Sequence, residues 1–97
     1  MPDDISQFSI LIVDDKPVNI DLLRRFLDND NYLISAATSG AKALRLLAKI
    51  KVDLILLDIM MPEMDGYQTC QSIKSDPNTH HIPIIFVTAK IEPEDLR

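Results

Sequence analysis

Along the chain, short runs of apolar residues alternate with stretches in which apolar positions recur every three or four residues. Residues 9–13 (SILIV) form a compact run, rich in β-branched side chains, that stops at Asp14-Asp15; such a run reads as a strand. Pro17 follows where the first turn of a helix tolerates proline. Val18, Leu22, Leu23, Phe26 and Leu27 then recur at helical spacing, with Arg24 and Arg25 on the other side. Turn-forming residues 28–31 (DNDN) end that helix. Residues 32–37 (YLISAA) predict a second strand. Thr38-Ser39-Gly40 is a start signal for a second helix, whose apolar stripe is Leu44, Leu47 and Ala48 with Ala41 beside them. Residues 52–57 (VDLILL) are apolar at nearly every position, the pattern of an interior parallel strand buried on both faces. Asp65 is placed to cap a third helix starting near Gly66, with Tyr67, Cys70 and Ile73 along its inner face. A polar loop, residues 75–81 (SDPNTHH), leads to a fourth strand, residues 82–87 (IPIIFV), followed by Thr88-Ala89. Glu92-Pro93-Glu94-Asp95 has the composition of the first turn of another helix, with acids where the helix dipole favours them. The order β-α-β-α-β-α-β predicts a doubly wound α/β fold: a parallel sheet, helices on both faces and right-handed crossovers.

Residues 56–66 read LLDIMMPEMDG, so the most apolar strand runs straight into a carboxylate, Asp58. Carboxylates are costly to desolvate unless something pairs with them. In open α/β sheets, ligands bind beyond the carboxyl ends of the strands, near the point where strand order reverses. Three groups stand at such ends: Asp14-Asp15 after the first strand, Asp58 after the third and Thr88 after the fourth. If the first and third strands are neighbours, the three aspartates converge and their like charges repel. A hard divalent cation resolves that conflict, and Mg²⁺, which takes a few carboxylates plus waters and phosphate oxygens, is the natural occupant. A carboxylate beside bound Mg²⁺ is a nucleophile for an activated phosphoryl group. The hydroxyl of Thr88 can bond a phosphoryl oxygen carried on Asp58.

Composition narrows the field without changing this picture. At 97 residues the chain makes one domain, slightly below the common size, and 46% apolar with 26% charged residues is ordinary for a globular protein. The single cysteine, Cys70, excludes an intrachain disulfide and suits a reducing, cytoplasmic compartment; with no base near it, it reads as a packing residue. The opening MPDDISQFS lacks the basic start and apolar stretch of a signal peptide, and no segment has the length to span a bilayer. A net charge of −5 argues against direct binding to nucleic acid or an anionic membrane. His80-His81, in a polar loop, read as solvated.

Taken in order and at these separations, ILIVDD, LLDIMMPEMDG and IIFVTA resemble the receiver domain of two-component response regulators, over residues 8–96. The resemblance implies a flavodoxin-like (CheY-like) fold over residues 1–97, cut short in its fourth helix and lacking the fifth strand and helix. It also implies a phosphoacceptor signalling domain with no turnover substrate, receiving phosphate on Asp58 from the phosphohistidine of a histidine kinase or phosphotransfer protein. Asp15 is then a direct Mg²⁺ ligand, Asp14 acts largely through water, the carbonyl of Met60 is the third protein ligand and Thr88 is the switch hydroxyl. The lysine that the family places after its fifth strand is missing, and Lys90, two positions after Thr88, does not replace it. Two alternatives follow: a pseudo-receiver that docks without being phosphorylated, and an aspartyl phosphohydrolase of the haloacid dehalogenase type. The latter wants a second acid two residues after its nucleophile, where Met60 stands. A nucleotide-binding Rossmann domain lacks its glycine loop, as the chain holds only Gly40 and Gly66. An apolar fourth strand left as an edge predicts self-association through that edge.

Overall fold

The computed structural model of the chain describes residues 7–28 and 31–87. Its elements follow in the order β1 (Phe8–Val13), α1 (Pro17–Phe26), β2 (Tyr32–Ala37), α2 (Gly40–Leu47), β3 (Leu54–Asp58), α3 (Gly66–Ser75) and β4 (Ile84–Val87). The four strands form one sheet, β2-β1-β3-β4, in which every pairing is parallel. This is the flavodoxin-like, doubly wound arrangement that the alternating pattern predicts. From β1 the chain winds out to β2 on one side and to β3 and β4 on the other, so strand order reverses at β1. The expectations for Thr88, Ala89, Lys90 and the helix start at residues 92–95 lie outside the described residues.

The side-chain alternation of the central strands builds two cores, one on each sheet face. Leu11 and Val13 of β1 and Ile55 and Leu57 of β3 face the larger one, closed by Ala43 and Leu47 of α2 and Ile73 of α3. Ile10, Ile12 and Leu56 face the other, where Ile20 of α1 packs with Leu23 and Leu27. β3 is therefore apolar on both faces because helices cover both.

The helix faces differ in part from the expected stripes. In α1, Val18 and Phe26 are 69% and 78% exposed, and Leu22 is exposed with them. The buried residue is Ile20, which the expected stripe omitted. Position 18 lies roughly 200° around the helix from position 20, so the side that carries Val18 turns away when Ile20 meets the sheet. In α2 the inner face is centred on Ala43 and Leu47, Leu44 packs at its margin, and Ala41 and Ala48 are exposed. In α3 the buried positions are Gly66, Thr69 and Ile73; Cys70 is half-buried, and Tyr67 faces outward against Phe86 with ring centroids 5.2 Å apart. Two strands start later than the apolar runs suggest. The carboxylate of Asp53 accepts from the Ser9 N–H at 2.8 Å just before β3, and Pro83, which has no N–H to donate, precedes β4. The loop between α3 and β4 is held by the Thr79 hydroxyl donating to the Ile73 carbonyl (2.8 Å) and the Lys74 ammonium donating to that of Ile82 (2.7 Å).

Candidate metal and phosphoryl site

The register of the sheet assembles the site. Val13 pairs with Leu57, so Asp14 and Asp58, the next residues of each strand, reach the carboxyl edge at the same level. Asp58 is itself paired with Val87 of β4, and the Asp14 N–H donates to the Ala37 carbonyl of β2 at 3.1 Å. Asp14 and Asp58 are only 2% and 4% exposed, while Asp15 is half-buried. Each of the three offers a carboxylate oxygen, and these oxygens lie within 4.8 Å of one another. The expected convergence of the three aspartates is what the sheet order produces.

The three carboxylates are not equivalent. The Asp14 side chain turns back on its own loop, accepting from the Lys16 N–H at 2.9 Å and from the Asn19 side-chain amide at 3.2 and 3.4 Å. Asp15 Oδ1 is buried and has no hydrogen-bond partner among the described residues. Its other oxygen lies 4.0 Å from the Lys16 ammonium, a long contact at the solvent rim that contributes little. A buried carboxylate oxygen without a partner is costly. A hard cation shared with two neighbouring carboxylates removes that cost, so the residues present suit Mg²⁺ on their donor chemistry.

The loop from β3 to α3 sets the position of Asp58. Asp65 and Gln68 form a reciprocal capping box at the start of α3, with both bonds 2.9 Å. The Gly66 N–H donates to the Ile59 carbonyl at 2.8 Å, drawing the helix start onto the strand end. A Cβ at Gly66 would run into the backbone of Asp58 and Ile59, so only glycine permits this approach. Glu63 takes up the remaining turn with φ of 66°. Met60 projects outward and lines, with Asp15, Ile59, Asp65 and Tyr67, an open cavity of about 440 Å³ beside the acids. Thus four of the five expected site residues, Asp14, Asp15, Asp58 and Met60, are brought together; Thr88 lies outside the described residues. Asn19 was not anticipated. Its only signal in the sequence is a polar amide in the first turn of α1, soon after an acidic pair.

Comparison with known proteins agrees with this geometry. Residues 10–97 match the family described as the response regulator receiver domain. A "Probable cyclic di-GMP phosphodiesterase" of Vibrio cholerae serotype O1 is 53% identical over 93 residues, which are 96% of this chain and 21% of that protein. The chain thus spans about a fifth of that relative's length. Among solved structures, the N-terminal domain of a response regulator receiver protein from Methanoculleus marisnigri JR1 superposes with a TM-score of 0.80 at 43% identity, covering 91% of this chain and 72% of that one. The phosphorylated cyanobacterial phytochrome response regulator RcpA gives a TM-score of 0.80 at 28% identity, over 93% and 71% of the two chains. The sheet order, the acids at the ends of β1 and β3 and the match over residues 10–97 agree, and the chain belongs to the response regulator receiver domain family.

Proposed function

We propose that this receiver domain takes a phosphoryl group onto Asp58 from the phosphohistidine of a histidine kinase or phosphotransfer protein, with Mg²⁺ held by Asp14, Asp15, Asp58 and the Met60 carbonyl. The observation that carries the reading is the set of three carboxylates, two of them buried, at the point where strand order reverses. An oxygen of Asp58 forms the new O–P bond as the donor's P–N bond breaks. The electron pair leaves with the imidazole, which then takes a proton. Mg²⁺, when bound, neutralises charge on the phosphoryl oxygens during this transfer.

The residues divide the remaining work. Asp15, whose buried Oδ1 has no hydrogen-bond partner among the described residues, would bind the cation directly. Asp14 is already engaged by Lys16 and Asn19 and acts through water. Asp58 is held rigidly because β3 pairs on both sides and Gly66 clamps its carboxyl end. Thr88 follows Val87, the pairing partner of Asp58, and that position in the sequence supports its role as the hydroxyl that bonds the transferred phosphoryl. RcpA, named as phosphorylated, lends support by likeness. The proposal also extends to self-association. Among the described residues β4 is an outer strand, Ile85 and Phe86 on it are exposed, and an open apolar edge is a template for a second copy.

The test is intact-mass analysis after incubation with Mg²⁺ and acetyl phosphate. Wild type is expected to gain a hydroxylamine-labile phosphoryl adduct that Asp58→Asn lacks. An adduct that persists in Asp58→Asn, or none in wild type while Mg²⁺ binds, would overturn the assignment.

A further inference from the structure

The side of the molecule away from β4 carries a feature that phosphoryl transfer does not use. β2 is the other outer strand, paired only with β1 among the described residues. Its outer half, Ser35-Ala36-Ala37, has short side chains and none of the lysines, prolines or bulk that usually block an edge. Above it, Lys42 and Arg45 of α2 and Lys49 of the turn that follows, all exposed, line a cavity of about 480 Å³ together with Ala36, Ala37 and Thr38. The Lys42 ammonium donates to the Thr38 hydroxyl at 3.2 Å, and none of the three cations is ion-paired to a described carboxylate. An acidic chain with net charge −5 thus keeps three of its cations together and unneutralised beside an open strand edge.

We infer that this edge docks an extended acidic segment of a partner protein, added beside β2 with its carboxylates against Lys42, Arg45 and Lys49. Lys42 and Arg45 lie about 4.5 Å apart along the axis of α2 and Lys49 follows in the turn after Leu47, so the three cations line a short stretch of extended chain. Two or three carboxylates at alternate positions of one strand therefore fall opposite the three cations. The strand edge supplies main-chain hydrogen bonds and the cations supply selection for acid, the division of labour of strand addition. Nucleic acid and anionic membrane suit the site less well, because the rest of the molecule repels a long uniform anion while a short peptide meets only the local stripe.

The experiment titrates the isotope-labelled full chain with a blocked hexapeptide of alternating threonine and glutamate, followed by amide chemical shifts. Shifts confined to β2 and α2 are expected, with no response to the matching threonine–lysine peptide. The triple variant K42E/R45E/K49E replaces only exposed side chains and should keep the wild-type circular dichroism spectrum while binding at least about tenfold more weakly. A peptide with proline in place of each threonine keeps the charges but cannot pair as a strand, and it should bind equally poorly. Equal binding of the proline peptide would overturn strand addition. No response at β2 and α2, or a response there to a single-stranded oligonucleotide or phosphatidylserine vesicles in preference to the glutamate peptide, would overturn the proposal as a whole.

Discussion

Asn19 shows how much a site can owe to a residue that touches neither metal nor phosphoryl group. Its amide holds both oxygens of Asp14, a buried carboxylate whose remaining partner is one backbone N–H. Asn19→Ala is expected to cost about 1–3 kcal/mol of stability, because a buried acceptor loses its donor. It should also weaken Mg²⁺ binding in a calorimetric titration, since Asp14 becomes free to rotate. The acids themselves were legible in the sequence because each stands where an apolar strand ends, a place with few structural reasons for a charge. Asn19 was not, because its role depends on the path of the loop between Val13 and Pro17, which no periodicity records. Gly66 was legible as a helix start but not as a contact; the close approach to Asp58 is visible only in three dimensions.

At the scale of elements, order and type were readable and orientation was not. Among the described residues, every strand and helix stands where the apolar pattern puts it, to within two residues at the strand starts. The faces failed where a helix carries more apolar residues than its sheet-facing side can bury. In α1, Val18, Leu22 and Phe26 form as good a series as Ile20, Leu23 and Leu27, and only contact with Ile10, Ile12 and Leu56 decides between them. The two kinds of position predict opposite outcomes in urea denaturation. Ile73→Ala, at a fully buried site between α3 and the sheet, should cost about 2–5 kcal/mol. Phe26→Ala, although it removes a larger side chain, should change stability by no more than about 0.5 kcal/mol.

At the scale of the whole molecule, the acid cluster couples cation binding to stability. On the proposed site, Mg²⁺ relieves the repulsion of three converging carboxylates, so the melting temperature should rise as Mg²⁺ is added. At a concentration a hundredfold above the dissociation constant, the gain is about 2.7 kcal/mol for one site. Asp15→Asn should lose most of this response in a thermal melt, because it removes the direct ligand of the proposed site. The self-association proposed for β4, an outer strand among the described residues, predicts a concentration-dependent sedimentation coefficient, and a monodisperse monomer across the range would overturn it. Among the described residues no helix is long and apolar enough to cross a membrane. The sheet has a further consequence for how the protein comes into being. Among the described residues it contains no hairpin, and β1 meets β3 only across an intervening strand and two helices; the bond from Ser9 to Asp53 spans 44 positions of sequence. Such pairings close long loops before any contact rewards them, which slows folding. During synthesis Asp14 and Asp15 leave the ribosome well before Asp58, and the three carboxylates meet only when the sheet has closed around β3. On the proposed site, the capacity to bind the cation therefore arrives only when β3 has joined β1 in the sheet.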